Sequence, residues 1–317
     1  MKALRKFAGL LLLAWAAVST PASAATLYHG FDITNLAIPR SQLLPGGPPR
    51  DGIPALTDPE FIAASRASFL EEDDRVLGVA LNGMAKAYPL LIMNWHEIVN
   101  DRLSGAPVAV TYCPLCYTGM AFKAEFDGRR QTFGVSGLLY NSDVVLYDRE
   151  TESLWSQLME RAISGPRRGQ RLEPVPVVNT TWGDWRRRHP ETLVLSTSTG
   201  HRRDYRRDPY LGYAQSSDLM FPVEFRSKGH HPKQPVLGIV IEGQAKAYPH
   251  SELARAGAAV EDVVGGRRIR VVFDEEGDSA AAYAESGELL PAITAYWFAW
   301  YAFNPKTEVY RAPRGRD

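Results

Sequence analysis

Val76-Leu77-Gly78-Val79-Ala80-Leu81-Asn82-Gly83-Met84-Ala85-Lys86-Ala87-Tyr88-Pro89 returns, with the same internal spacing, as Val236-Leu237-Gly238-Ile239-Val240-Ile241-Glu242-Gly243-Gln244-Ala245-Lys246-Ala247-Tyr248-Pro249. In each copy apolar and polar residues alternate around a central glycine, the pattern of a β-hairpin. A short helix is expected after each, over 90–99 and 251–256. An apolar strand follows, 108–112 in the first copy and 269–273 in the second. Repeats of this kind are the first thing to establish, because they govern how the remainder is assigned. The reading is a β-rich α+β fold: an internally duplicated hairpin-helix-strand unit, over about 75–126 and 235–285, with a long middle insertion. Within the insertion 131–135, 143–147 and 193–196 read as strands, and 181–188 as a helix.

Upstream, Pro39, Pro45, Gly46, Gly47, Pro48, Pro49 and Pro54 mark 25–60 as an irregular arm that must lie over something to be ordered. Asp58-Pro59-Glu60 before Phe61, Ile62, Ala64 and Phe69 reads as a short capped helix. From 61 to 317 a single duplicated domain is expected.

The first 24 residues have the layout of a secretory leader. Lys2, Arg5 and Lys6 precede an apolar run over 10–18, and Ala22-Ser23-Ala24 suits cleavage before Ala25. The run is too short to span a bilayer, which takes about 20 residues. No later stretch is apolar enough, so no membrane span is expected after cleavage, and the compartment is periplasmic or extracellular. The full chain carries 36 basic and 36 acidic residues, and losing the leader's three cations leaves a net charge of −3. Nucleic acid is a poor partner for such a surface. The local excess at Arg186-Arg187-Arg188, Arg202, Arg203, Arg206 and Arg207 is interrupted by Asp204 and Asp208, and reads as a solvated face with ion pairs.

Two cysteines in an exported chain of this size are no scaffold; Cys113 and Cys116 are a local device. Alignment of the two copies sets Cys113 against Asp274, so the pair replaces a plain turn, Asp274-Glu275-Glu276-Gly277-Asp278. The first copy therefore bears the chemistry.

The chain resembles the bacterial family known as domain of unknown function 3179 (DUF3179), over about residues 50 to 312. The resemblance is carried by Asp51-Gly52-Ile53-Pro54-Ala55, Ala87-Tyr88-Pro89, Asn94-Trp95-His96-Glu97-Ile98-Val99-Asn100-Asp101, Thr111-Tyr112-Cys113-Pro114-Leu115-Cys116, Ser136-Gly137-Leu138, Tyr140-Asn141-Ser142-Asp143, Leu154-Trp155-Ser156-Gln157 and Trp297-Phe298-Ala299-Trp300. It implies no activity. A glycine commonly follows the second cysteine in similar sequences; here Tyr117 stands there.

A Cys-x-x-Cys pair serves metal ligation, thiol–disulfide exchange or a small structural disulfide. The residues after Cys116 alternate like a returning strand, so the pair is expected at the tip of a β-turn. In that geometry both sulfurs can face one ion. Copper is the expected metal, because two or three soft ligands satisfy copper(I), with zinc as the alternative. His96 is the expected third ligand, His231 a weaker candidate, and Glu97 the acceptor that orients His96. One alternative is a thiol–disulfide oxidoreductase acting on a thiol protein partner, with Cys113 attacking and Cys116 resolving. Another is a non-catalytic domain with a structural disulfide. Ser156 lacks a nucleophile elbow. Lys86 and Lys246 recur at one hairpin position and read as structural.

Overall fold

A computed structural model describes residues 25–313 of the chain, so the leader assigned to 1–24 lies outside the described residues. Strands make up 41% of the structure and helices 12%, with five main sheets arranged as a five-bladed β-propeller. The α+β expectation is thereby corrected. The four α-helices among the described residues are α1 (Leu90–His96), α2 (Trp182–Arg188), α3 (His250–Ala256) and α4 (Trp297–Phe303), of seven residues each. Two turns of helix are not stable alone; each is an elbow attached to a sheet rather than a layer of its own.

The hairpin-helix-strand stretch is also not a structural unit. Its hairpin, Arg75–Leu81 with Met84–Pro89, lies in one sheet beside Val178–Thr181, Leu193–Leu195 and Phe61–Ala63. After α1 the chain enters a different sheet, formed by Ile98–Leu103, Ala106–Cys113 and Thr118–Lys123. Local periodicity identifies a strand but does not say which sheet it joins.

The second copy divides in the same way. Its hairpin pairs with Ile293–Tyr296 and Glu308–Val309, while Ala259–Val264, Arg267–Asp274 and Ser279–Ala284 form a separate sheet. Val76 faces Pro89 as Val236 faces Pro249, and Cys113 faces Thr118 as Asp274 faces Ser279. The correspondence extends further along the chain than the repeat units assigned from sequence. In both copies a strand, a helix and a second strand parallel to the hairpin complete the first sheet. Gly78 lies under the indole of Trp185 and Gly238 under that of Trp300, and a Cβ at either would overlap the ring. Each indole N–H donates to a threonine, Thr192 at 3.0 Å and Thr307 at 2.9 Å.

The copies interlock at their turns. The backbone N–H of Tyr296 donates to the Cys116 carbonyl at 2.8 Å, and the Arg75 guanidinium donates to the carbonyl of Gly277 at 2.5 Å. The fifth sheet comes from the middle insertion: Phe133–Tyr140, Asp143–Asp148, Leu154–Ser156 and Arg161–Ala162. The N-terminal arm supplies edge strands to two sheets through Leu43–Pro45 and Leu56–Thr57, and just past it Phe61–Ala63 edges a third. The capped helix expected after Asp58 is replaced by that last strand and a single 3-10 turn, Ala64–Arg66. The free edge of Leu193–Leu195 satisfies the backbone better than one isolated helical turn would. No helix among the described residues is long and apolar enough to cross a membrane.

Both hairpin lysines are structural. Lys86 Nζ lies 2.7 Å from Asp101 Oδ2, which also accepts from the Tyr88 hydroxyl at 2.7 Å. Lys246 and Tyr248 repeat this on Asp262, at 2.8 Å each. The first pair is more enclosed, with side chains 8% and 7% exposed against 14% and 17%. Removing one partner of a buried pair costs about 3–5 kcal/mol. Asp101→Ala should therefore lower stability to urea by about that much, and Asp262→Ala by less. Equal losses, or the reverse order, would show that the pairs do not hold the hairpins.

Candidate metal centre

Cys113 ends the strand Ala106–Cys113, and Thr118 begins the next one opposite it. The intervening turn closes when the Cys116 N–H donates to the Cys113 carbonyl at 3.2 Å. Tyr117 completes it with φ of 60°, the left-handed region that glycine adopts freely. A side chain there costs on the order of 1 kcal/mol, offset by stacking of the Tyr117 ring on Tyr296 with centroids 5.0 Å apart. The expected strand–turn–strand setting of the cysteines is therefore present.

Both cysteines are buried and free. Their thiols reach one carbonyl, that of Ser142, from 3.8 Å at Cys113 and 3.3 Å at Cys116. Ser142 belongs to the fifth sheet, where Tyr140 faces Asp143 across a two-residue turn. Asn141 and Ser142 have φ of 49° and 67°, as a tight primed hairpin turn requires. The turn delivers Asp143 onto the thiols. Sγ of Cys113, Sγ of Cys116 and a carboxylate oxygen of Asp143 all lie within 4.8 Å of one another. Asp143 Oδ2 accepts from the Leu158 N–H at 3.1 Å, and its Oδ1 lies 3.3 Å from the Thr118 hydroxyl. Gln157 locks the base of the site, donating through Nε2 to Thr111 Oγ1 at 2.8 Å.

Every acid in this group is pushed toward its protonated form. Burial raises the Cys113 thiol and raises Cys116 well above the ordinary range. Burial lifts Asp143 to about 7. Glu97 is pushed up to about 8, first by burial and then by the Asp143 charge. Glu97 caps α1 in the left-handed region, at φ of 56°, and is 7% exposed. Its charge reaches Cys113 as well as Asp143.

The left-handed residue also separates Glu97 from its neighbour. His96 Nδ1 lies 2.8 Å from the Pro54 carbonyl and Nε2 lies 2.7 Å from the Tyr205 hydroxyl. A carbonyl only accepts, so Nδ1 carries the proton and Nε2 accepts from Tyr205. Burial lowers this imidazole to about 4, so it is neutral at physiological pH. Both ring nitrogens are engaged by protein, and His96 is not in the group that can share an ion. His231 sits in an exposed turn, where Nδ1 accepts from the Lys233 N–H at 3.2 Å, and it too is outside the group. The third residue whose ligand atom lies near both sulfurs is Asp143, not a histidine. Its only sequence signal is the Tyr140-Asn141-Ser142-Asp143 motif, which points to a turn and not to a ligand.

The long segment between Ser196 and Gln234 packs Tyr213, Leu219 and Phe221 into the core cluster that holds both cysteines. Lys233 is buried beneath it, its Nζ donating to the carbonyls of Tyr213, Ser216 and Asp218 at 3.4, 3.1 and 2.8 Å. Burial lowers the pKa of its ammonium.

A family model described as Protein of unknown function (DUF3179) matches residues 50–289. No curated protein and no solved structure matches the chain.

Proposed function

The chain belongs to the DUF3179 family, and since that membership names no chemistry, we propose from the site itself that this is an exported metal-binding protein holding one ion on Cys113, Cys116 and Asp143. The observation that carries this reading is the burial of three acidic ligand atoms within 4.8 Å of one another. Gathering acids away from water is unfavourable unless a cation neutralises them. A metal ion removes the repulsion and replaces the protons.

Zinc fits this donor set better than copper. Two thiolates suit either ion, but a carboxylate is a hard ligand that copper(I) does not favour. The copper expectation rested on a set made only of soft donors, with His96 as the third. Zinc accepts thiolate and carboxylate together, and three protein ligands leave its fourth position open. The Ser142 carbonyl, which both thiols reach, or a water can fill that position. Handling of the ion, with loading and release on the envelope side, is the role such a site supports.

Thiol–disulfide exchange is less well supported. An attacking cysteine needs an exposed, stabilised thiolate. Cys113 is 2% exposed and Cys116 fully buried, and both thiols are shifted away from ionisation.

The test is titration of the metal-free protein with zinc, and separately with copper(I), against a competing chelator. One equivalent of zinc should bind, and Cys113→Ser and Asp143→Asn should each weaken it at least about 100-fold, the scale seen when a ligand shell is damaged. Unchanged binding in both variants would end the proposal. Tighter specific binding of copper(I), unaffected by Asp143→Asn, would transfer it to copper.

A further inference from the structure

The blade built from the middle insertion meets the second copy's hairpin blade across a cleft of about 380 Å³. One wall is residues 158–161 with Arg171. The other is Gly238 and Val240 of the hairpin with Ile293 of the strand beside it. Trp300 and Phe303 of α4 also border it, so the cleft exists only in the assembled fold.

Two cations meet in it. Arg161 and Arg171 stand directly opposite each other in an isolated antiparallel bridge, and both line the cleft. Residues opposed in this way send their side chains to one face, with Cβ atoms about 5 Å apart, and like charges so placed are destabilising. Neither guanidinium pairs with a carboxylate among the described residues. Glu173, close by in sequence, is taken by Lys123. Glu160 is the one carboxylate that lines the cleft among the described residues. Burial pushes it toward its protonated form, against the pull of the Arg171 charge. Even with Glu160 ionised, two guanidiniums face one carboxylate, and the cleft keeps an excess of positive charge.

A second observation is independent of the charges. Leu158, Met159, Val240, Ile293 and Phe303 make the remaining walls largely apolar. Val240 is 52% exposed, among the few large apolar side chains left in water. Its counterpart in the first hairpin is Ala80, since each faces the alanine that precedes the hairpin lysine. The second copy thus leaves apolar surface uncovered where the first presents only a methyl group.

We propose that this cleft binds an amphiphilic monocarboxylate, one anionic head on a hydrocarbon body. A guanidinium matches a carboxylate with two parallel N–H···O bonds, which makes arginine the residue suited to such a head. The head is held between Arg161 and Arg171, where it relieves their repulsion, and the body lies on Val240 and Ile293. A second negative charge on the ligand would meet Glu160. The volume is near the lower end for ligand pockets, about 300 Å³, which suits a medium chain rather than a long one. The inference stands apart from the metal reading, because none of Cys113, Cys116 and Asp143 lines the cleft.

The test is calorimetric titration of the full chain with octanoate, with 1-octanol, which has the body without the charge, and with acetate, which has the charge without the body. Octanoate should bind saturably, at least about tenfold more tightly than either. The doubly substituted Arg161→Gln, Arg171→Gln protein should bind octanoate no better than octanol. Arg171 is exposed, so Arg171→Gln alone should melt as the parent does and lose most of the preference. Val240→Asn should weaken octanoate and octanol by the same factor. Absence of saturable octanoate binding, equal affinity for octanoate and octanol, or a double variant that keeps the preference would overturn the proposal.

Discussion

Acidifying from about pH 8 to about pH 6 should weaken zinc binding roughly a hundred-thousand-fold, because metal must displace protons from its ligands. Burial raises both thiols above their ordinary value of 9.0, so both are protonated in the metal-free protein throughout this range. Each displaced proton makes the affinity fall about tenfold per pH unit, so two thiols give about a hundredfold. Asp143, lifted to about 7, adds a third proton below neutrality. The plot of log affinity against pH should therefore have a slope of about two at pH 8, steepening toward three at pH 6. Competition titrations at several pH values measure it. A slope near one or below would mean that the two thiols do not both become ligands.

Asp143→Asn should make the metal-free protein more stable in alkali while ruining the metal site. The folded Asp143 titrates near 7 against an ordinary 3.8, so its pKa is raised by folding. Such a group contributes its full stability below the lower value and loses it as pH rises through the upper one. A rise of about three units corresponds to roughly 4 kcal/mol withdrawn above neutrality. Asparagine keeps a carbonyl for the Leu158 N–H and carries no charge. Its gain over the parent should thus be largest near pH 9 and vanish near pH 4. Glu97, raised from 4.5 to about 8, adds loss of the same sign in the parent, which the variant moderates by removing the Asp143 charge. His96 works oppositely: its imidazole is lowered from 6.5 to about 4, so its contribution is present above 6.5 and lost as pH falls toward 4. Urea unfolding after chelator treatment, between about pH 5 and pH 9, separates these slopes. A variant less stable than the parent at every pH would show that the carboxylate is needed for packing rather than for metal.

The hairpins, the turn at Cys113 and the strand at Asp143 were legible because each depends on neighbours in the chain. Alternation marks a strand and Gly83 or Gly243 marks its turn. The ligand set was less legible. The sequence points to His96 because it stands on the helix just before the cysteine strand. A single left-handed residue, Glu97, places the two side chains in different surroundings. His96 joins Pro54 and Tyr205, residues 42 and 109 positions away. Asp143 joins the thiols only because the fifth sheet packs its Asn141-Ser142 turn against theirs.

By itself the sequence determined the repeated hairpins, the excess of strand over helix, the family resemblance and the two sulfurs at the tip of a bend. These follow from the spacing of side chains along a few consecutive residues. Only the tertiary structure decided that the repeat is shared between blades, that a carboxylate accompanies the sulfurs, and that two arginines meet in one apolar cleft. Sheet membership and ligand convergence are set by packing between residues far apart in the chain, where apolar burial and hydrogen-bond satisfaction select one arrangement that no local pattern encodes.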